Sequence, residues 1–207
     1  MTGSAFAIRA VLLDFGWVLA EEGFRDGLYA IAGLNGLDPH TVHREGIDAI
    51  YGSGYVVGRA KEADFWNLMR SRFNLSQEDA ALTDIILDCF TLRPAMIDLV
   101  RVLRGRGLTC AILSDQTDWL DRLDQRDHFY REFDRVYCSY RLGKSKRDAT
   151  LFDEVATDLG VRPAEAVFVD DDSGNVERAR SRGLAALCCD ASTTCREGLL
   201  SLIGSGA

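Results

Sequence analysis

The sequence lacks several features that would assign it to a common class of protein. It has no excess of basic residues, because 24 lysines and arginines stand against 32 aspartates and glutamates, for a formal net charge of −8. Binding to nucleic acid phosphates needs a basic face, so we expect no nucleic-acid partner. No apolar run reaches the roughly 20 residues of a membrane helix, and the first residues lack a signal-peptide pattern. We therefore expect a cytoplasmic protein without a membrane partner.

Residue clusters typical of zinc sites are also missing. The six cysteines are Cys89, Cys110, Cys138, Cys188, Cys189 and Cys195. None of them forms a CxxC pair, and their spacing is not that of a zinc site. Most lie in or beside apolar segments, which favours free thiols in a reducing compartment. The three histidines show neither metal-ligand nor triad spacing.

Short apolar runs alternate with amphipathic stretches along much of the chain. Runs typical of buried strands lie at about 8–13, 109–113, 136–138, 166–169 and 184–188. Helical spacing of apolar residues separates them, and this alternation favours a parallel sheet with right-handed crossovers. The fold class that we expect is α/β, with a Rossmann-like parallel sheet as its core.

The segment after the first strand has a different pattern. Residues 20–90 are mostly helical in character, with Phe65, Trp66 and Met69 at helical spacing and a second such stretch at 78–90. We therefore predict two domains, a core formed by residues 1–19 and 91–207 and a small helical insertion formed by residues 20–90.

Polar residues close three of the predicted strands. Asp14 follows the first strand, Ser114 the second, and three acids at 170–172 follow the fourth, while Lys146 lies in the loop 141–147. Ligands bind outside the carboxyl ends of strands in open α/β sheets, so these side chains should converge. Such a group can hold a divalent metal ion and a phosphate.

Each residue also has a simpler interpretation. Asp14 can cap a turn instead of serving as a nucleophile, and Ser114 can be a helix N-cap instead of a phosphate ligand. Lys146 can be a solvated loop residue instead of a phosphate-binding charge. Acids favour a helix N-terminus without any metal, although three consecutive carboxylates repel one another and Mg²⁺ relieves that repulsion.

Taken together, the motifs resemble those of the haloacid dehalogenase-like (HAD) hydrolase superfamily. The matching segments, in order, are VLLDFG at 11–16, ILS at 112–114, LGKSKRD at 142–148 and FVDD at 168–171, the last followed by Asn175 and Gly183. The resemblance is greatest to sugar-phosphate phosphatases and the N-terminal domain of soluble epoxide hydrolase. It implies that residues 20–90 form the helical cap that this superfamily inserts after its first strand.

The resemblance also implies roles for individual residues. Asp14 would be the nucleophile, Ser114 would bond a phosphoryl oxygen, and Lys146 would balance the negative charge. Mg²⁺ would be the cofactor. Its ligands would be Asp14, the backbone carbonyl of Gly16, Asp170 and Asp171. We also expect Trp17, Asp115 and Gln116 to contact the substrate.

Three positions depart from the pattern of these relatives. Gly16 stands where most phosphatases of the superfamily have an aspartate that protonates the leaving group. Asp115 stands where asparagine is common, and Arg147 where proline is common. Because general-acid help is typically worth 10²–10⁴-fold, we expect a substrate with a good leaving group, such as a sugar 1-phosphate or an acyl phosphate. Glu21, Glu22 and Asp115 are candidate replacements for the missing acid.

The function that we predict is an Mg²⁺-dependent phosphatase of a small phosphorylated metabolite, acting through an aspartyl-phosphate intermediate. Two alternatives stay open. A 2-haloacid dehalogenase would use Asp14 against carbon without a metal, and Phe15 and Trp17 are compatible with it. A non-catalytic member that only binds a ligand or a protein would explain the loss at Gly16. No sustained heptad is present, so we expect either a monomer or a homodimer.

Overall fold

The core of the protein is a parallel sheet. The computed structural model describes residues 7–189 and 192–204. Five strands lie in the order β3-β2-β1-β4-β5. Their bounds are Ala10–Leu13 (β1), Thr109–Ser114 (β2), Arg135–Cys138 (β3), Ala166–Asp170 (β4) and Ala185–Cys188 (β5). The α/β fold class with a parallel sheet is therefore confirmed.

The central position of β1 follows from its composition. All four of its residues are apolar and buried, as is expected of a parallel strand covered on both faces. It pairs with β2 on one side and β4 on the other, with Leu13 opposite Ile112 and Val169. This register places the residues that follow β1, β2 and β4 at one edge of the sheet.

Alternate residues of the strands build the two apolar layers that enclose the sheet. Val11 and Leu13 belong to one cluster, which also contains Leu99, Leu120 and the buried apolar residues of the helical insertion. Ala10 and Leu12 belong to the other cluster, together with Phe152. The sheet edge that carries the polar residues is thus held between two packed layers.

Four α-helices follow β1 within residues 20–90. They are Gly23–Leu34 (α1), Pro39–Gly52 (α2), Glu62–Arg72 (α3) and Asp79–Cys89 (α4). Gly27 allows α1 to pack closely on α4, since a Cβ added there would lie 2.5 Å from the Ile86 Cα. The helical character predicted for residues 20–90 is found, while the division into two domains at 19/20 and 90/91 stays a prediction.

The remaining α-helices flank the sheet. They are Pro94–Gly105 (α5), Trp119–Asp127 (α6), Ser139–Leu142 (α7), Thr150–Asp158 (α8), Ser173–Ser181 (α9) and Ser192–Gly204 (α10). Helix α5 begins at Pro94, where the missing N–H costs nothing. Helix α9 begins at Ser173, because the Asp172 side chain accepts the Asn175 N–H and caps the helix.

The prediction of free thiols is wrong for one pair of cysteines. Cys189 and Cys195 form a disulfide, with their Cα atoms 5.0 Å apart. Cys110 and Cys138 are buried thiols, as expected, whereas Cys188 is exposed. Within the described residues, no helix is both long and apolar enough to cross a membrane.

Candidate functional site

A buried ammonium group joins the ends of two strands. Lys146 Nζ lies 2.9 Å from Asp14 Oδ2 and 2.6 Å from Asp170 Oδ2. Lys146 is only 1% exposed and Asp170 is fully buried. The convergence predicted for these three residues is therefore found, and the solvated-loop interpretation of Lys146 is wrong.

The charge of Lys146 depends on its neighbours. Burial by itself lowers the pKa of a lysine, because it disfavours the charged form. The negative charges of Asp14, Asp170 and Asp115 outweigh burial and hold the pKa of Lys146 well above its ordinary value. The pKa of Asp170 is raised by burial, in spite of Lys146. The charged groups of Lys146, Asp14 and Asp170 thus interact strongly, because they lie close together and largely away from water.

Helix α9 supports this arrangement from behind. Asn175 Nδ2 donates to Asp170 Oδ2 at 3.1 Å, and the Asp172 N–H donates to Asp170 Oδ1 at 2.7 Å. Arg178 contacts both Lys146 and Asn175. Its Nε donates to the Lys146 backbone carbonyl, and its guanidinium also donates to Asn175 Oδ1. The sequence analysis missed Arg178. Its position three residues after Asn175, on the same helix face, was the available signal.

Three carboxylates lie close enough together to bind a metal ion. Oxygen atoms of Asp14, Asp170 and Asp171 all lie within 4.8 Å of one another. Desolvation and the charges of Asp14 and Asp170 raise the pKa of Asp171 to about 7. Hard oxygen donors that repel one another suit Mg²⁺, so the residues fit this ion. The Gly16 carbonyl, which accepts the Val18 N–H, belongs to the same turn.

A cavity of about 140 Å³ opens beside these carboxylates. Its polar part contains Asp14, Gly16, Ser114, Asp115 and Gln116. Ser114 is buried, and its hydroxyl makes no hydrogen bond to another described residue. The hydroxyl is therefore available to a ligand in the cavity.

Trp17 does not line this cavity. Its indole ring lies between two guanidinium groups, with Arg25 Cζ 5.0 Å and Arg93 Cζ 5.4 Å from the ring centroid. The prediction that Trp17 contacts the substrate is not supported by this position, because cation–π contacts with Arg25 and Arg93 occupy the ring.

Two of the departures from the superfamily pattern meet in one contact. Asp115 Oδ2 accepts the Tyr51 hydroxyl at 3.0 Å, and its Oδ1 accepts the Lys146 N–H at 2.9 Å. The Arg147 guanidinium lies over the Tyr51 ring, 3.4 Å from its centroid. Burial raises the pKa of Asp115, against the pull of Lys146. Tyr51 of α2 is thus held over the cavity by Asp115 and Arg147.

The third departure is also compensated in space. A Cβ added at Gly16 would lie 2.9 Å from Glu22 Oε2. The Glu22 carboxyl therefore fills the place of the side chain that residue 16 lacks, and it lines the cavity together with Asp14. Burial raises the pKa of Glu22 to about 7, opposed by the Arg25 N–H and reinforced by Asp14. Among the candidate acids, Glu21 instead pairs with Arg93 outside the cavity.

Comparison with known proteins decides the family. A model of haloacid dehalogenase-like hydrolases matches residues 25–183. The chain belongs to the haloacid dehalogenase-like hydrolase family. The match contains Ser114, Lys146 and Asp170, and Asp14 precedes it. The predicted resemblance to this family is confirmed.

Solved structures of this HAD family have a similar fold. A HAD family enzyme of Bacteroides thetaiotaomicron has a TM-score of 0.74 at 21% identity, covering 89% of this chain and 95% of that one. The same enzyme has been crystallised with magnesium and inorganic phosphate, at a TM-score of 0.70. L-2-haloacid dehalogenase of Xanthobacter autotrophicus has a TM-score of 0.65 at 19% identity, covering 86% and 76% of the two chains. At these identities the likeness shows the fold.

Curated relatives include enzymes with larger chains. The bifunctional epoxide hydrolase 2 of Rattus norvegicus is 22% identical over 193 residues, which are 78% of this chain and 34% of that protein. A D-ribitol-5-phosphate phosphatase of Bacteroides thetaiotaomicron is 40% identical over 50 residues, 24% of each chain. The matched segments thus cover about a third or less of the length of these relatives.

Proposed function

We propose that the protein is an Mg²⁺-dependent phosphatase of a small phosphorylated metabolite. The observation that carries this proposal is the buried Lys146, whose ammonium joins Asp14 to Asp170 beside a third carboxylate. Phosphoryl transfer needs in-line positioning and neutralisation of spread negative charge. A fixed carboxylate, a fixed ammonium and a free serine hydroxyl meet both needs.

Asp14 is the nucleophile of the proposed reaction. Its Oδ1 accepts the Phe15 N–H at 2.7 Å and its Oδ2 is held by Lys146, so the carboxylate has a fixed orientation. A carboxylate oxygen forms a bond to phosphorus as the bond from phosphorus to the leaving-group oxygen breaks, which gives an aspartyl-phosphate that water then hydrolyses. Ser114 donates to a phosphoryl oxygen during both steps.

Asp14, Asp170, Asp171 and the Gly16 carbonyl are the residues that would hold Mg²⁺. When bound, the ion neutralises the carboxylates and polarises the phosphoryl group. Lys146 remains the only positive side chain among the described residues in direct contact with Asp14 and Asp170. Its charge offsets part of the repulsion that the incoming phosphate meets.

The glycine at position 16 restricts the leaving group of the proposed reaction. Without a side chain at Gly16, we expect a leaving group that needs little protonation, as in a sugar 1-phosphate or an acyl phosphate. For poorer leaving groups, the Glu22 carboxyl is the acid closest to the required place, since it fills the space beside Gly16. Glu22 therefore takes the role of proton donor, which the sequence left open among three residues.

The charge of the site disfavours the 2-haloacid dehalogenase alternative. Three carboxylates and one ammonium surround the place where an anionic substrate must bind. Without a divalent cation, like charges at such short distances repel a haloacid carboxylate. The non-catalytic alternative is disfavoured because a function limited to binding does not require the arrangement of Asp14, Lys146 and Ser114.

The proposal is tested by measuring phosphate release from phosphorylated sugars, acyl phosphates, nucleotides and an aryl phosphate. The assay is run in Mg²⁺ and in EDTA, with the wild-type protein and with Asp14→Asn. We expect turnover that needs Mg²⁺ and is lost in Asp14→Asn. Turnover of 2-chloropropionate in EDTA would favour the dehalogenase instead, and binding of phosphate without any turnover would favour the non-catalytic alternative.

A further inference from the structure

The cavity has two chemically different halves. Around Asp14 and Ser114 its lining is polar, as a phosphoryl group requires. Besides Glu22, Tyr51 and Thr117, the remaining wall is apolar and comes from the helical insertion and α6, through Phe24, Ile47, Ile50, Val56 and Trp119. If the phosphoryl group lies at Asp14, the rest of the substrate faces this apolar wall.

Three polar groups beside that wall already have partners. The Tyr51 hydroxyl donates to Asp115 at 3.0 Å, and Trp119 Nε1 donates to Glu62 Oε2 at 2.5 Å. The Thr117 hydroxyl accepts the Trp119 N–H at 3.2 Å. A ligand hydroxyl buried against Ile47, Ile50 or Val56 would therefore lack a partner, and each such group costs about tenfold or more in affinity.

Gln116 provides a polar contact nearer to the phosphoryl site. It lines the cavity two residues after Ser114. Its side-chain amide makes no hydrogen bond to another described residue. The amide N–H groups can thus serve a single acceptor oxygen that lies next to the phosphoryl group.

From this arrangement we infer that the substrate is a short-chain acyl phosphate. This inference rests on the proposed phosphatase function and narrows the two leaving groups considered there. The alkyl chain of the acyl group packs on Ile47, Ile50 and Val56, while the Gln116 amide donates to the acyl carbonyl. Asp14 forms its bond to phosphorus as the bond from phosphorus to the acyl oxygen breaks. The carboxylate leaves with the electron pair and needs no proton, which agrees with the glycine at position 16.

The test compares acyl phosphates of similar reactivity and different polarity. Butyryl phosphate and 3,4-dihydroxybutyryl phosphate are assayed with glucose 1-phosphate, in Mg²⁺, for the wild-type protein. We expect kcat/KM for butyryl phosphate to exceed that for the dihydroxy compound by at least tenfold. In Ile47→Asn this ratio should fall at least threefold, whereas Ile85→Asn, a change at a half-buried isoleucine outside the cavity, should leave it unchanged.

Binding is measured separately, so that the inference does not depend on turnover. Butylphosphonate and 2,3,4-trihydroxybutylphosphonate are titrated into the Mg²⁺-loaded wild-type protein by calorimetry. If phosphate release depends on Asp14 but the hydroxylated compounds or glucose 1-phosphate are preferred, the inference is overturned and the proposed function stands. If no compound releases phosphate, the proposed function fails. Tighter binding of butylphosphonate then supports the apolar site, and equal, weaker or absent binding overturns it.

Discussion

Removal of the Lys146 ammonium should destabilise the fold more than most single substitutions. In Lys146→Met the side-chain volume is nearly kept, but two carboxylates 2.9 and 2.6 Å from the ammonium lose their partner. Breaking a buried ion pair by removing one partner typically costs about 3–5 kcal/mol. Because Lys146 serves two carboxylates, we expect a loss of unfolding free energy at the upper end of that range.

The assay is urea unfolding at pH 7 in EDTA, followed by circular dichroism. A thermal scan of the same samples gives a second measure. For a chain of this size about 2–4 °C of Tm correspond to 1 kcal/mol, so a loss of about 3–5 kcal/mol should lower the melting temperature by roughly 6–20 °C. The matched control is Lys144→Met, which removes a lysine of the same loop whose partners Asp148 and Glu154 are exposed. Exposed ion pairs contribute about 0–1 kcal/mol, so the control should change little.

The pH dependence of the destabilisation tests whether a buried charge causes it. In the variant, Asp170 lies buried without its ammonium partner, so burial holds its pKa in the folded chain above that in the unfolded chain. The destabilisation is then complete above the folded-state pKa and disappears as the pH falls to the ordinary value of about 4. A loss below about 1 kcal/mol at pH 7, or a loss that does not shrink toward pH 4, would contradict the assigned role of the buried charges.

Three further predictions concern other residues of the site. Saturating Mg²⁺ should raise the Tm of the wild-type protein, and the rise should be smaller in Asp171→Asn, as differential scanning fluorimetry would reveal. Glu22→Gln should slow hydrolysis of alkyl phosphates by roughly 10²-fold or more and that of acyl phosphates less than threefold; an equal loss on both contradicts a proton-donor role. Tyr51→Leu and Arg147→Ala should be non-additive in KM by about 0.5 kcal/mol or more in a double-mutant cycle, and additive effects would mean that the two side chains act independently.

The sheet could be predicted from the sequence because its three central strands, β2, β1 and β4, are almost entirely buried. Each of the three is a short apolar run with a polar residue at its end, and such runs bounded by helical segments have few other interpretations. The predicted bounds differ from the structure by two residues at most, as at β1, which begins at Ala10 instead of residue 8. The disulfide could not be predicted, because it depends on the distance between Cys189 and Cys195 in the folded chain, which apolar periodicity does not describe.

The candidate site was predictable where its residues lie at strand ends and less so elsewhere. Asp14, Ser114 and Asp170 follow directly from the strand positions, and Lys146 was chosen from several basic residues of one loop. Trp17 shows the limit of this approach. Its position next to the first motif suggested a substrate contact, but the direction of a side chain in a turn depends on its neighbours, here Arg25 and Arg93.

The departures from the superfamily pattern have to be interpreted in three dimensions. Aligned by position, Gly16 is a lost acid, yet the Glu22 carboxyl fills the space that the lost side chain would need. An aspartate restored at position 16 would meet Glu22 Oε2 at 2.9 Å from its Cβ and add a carboxylate beside Asp14. Glycine at position 16 therefore leaves the space that the Glu22 carboxyl occupies, and a side chain there would displace that carboxyl. Asp115 and Arg147 are linked in the same way, because both contact Tyr51, one through its hydroxyl and the other through its ring. A single substitution, of Asp115 by asparagine or of Arg147 by proline, therefore changes one of these two contacts and leaves the other.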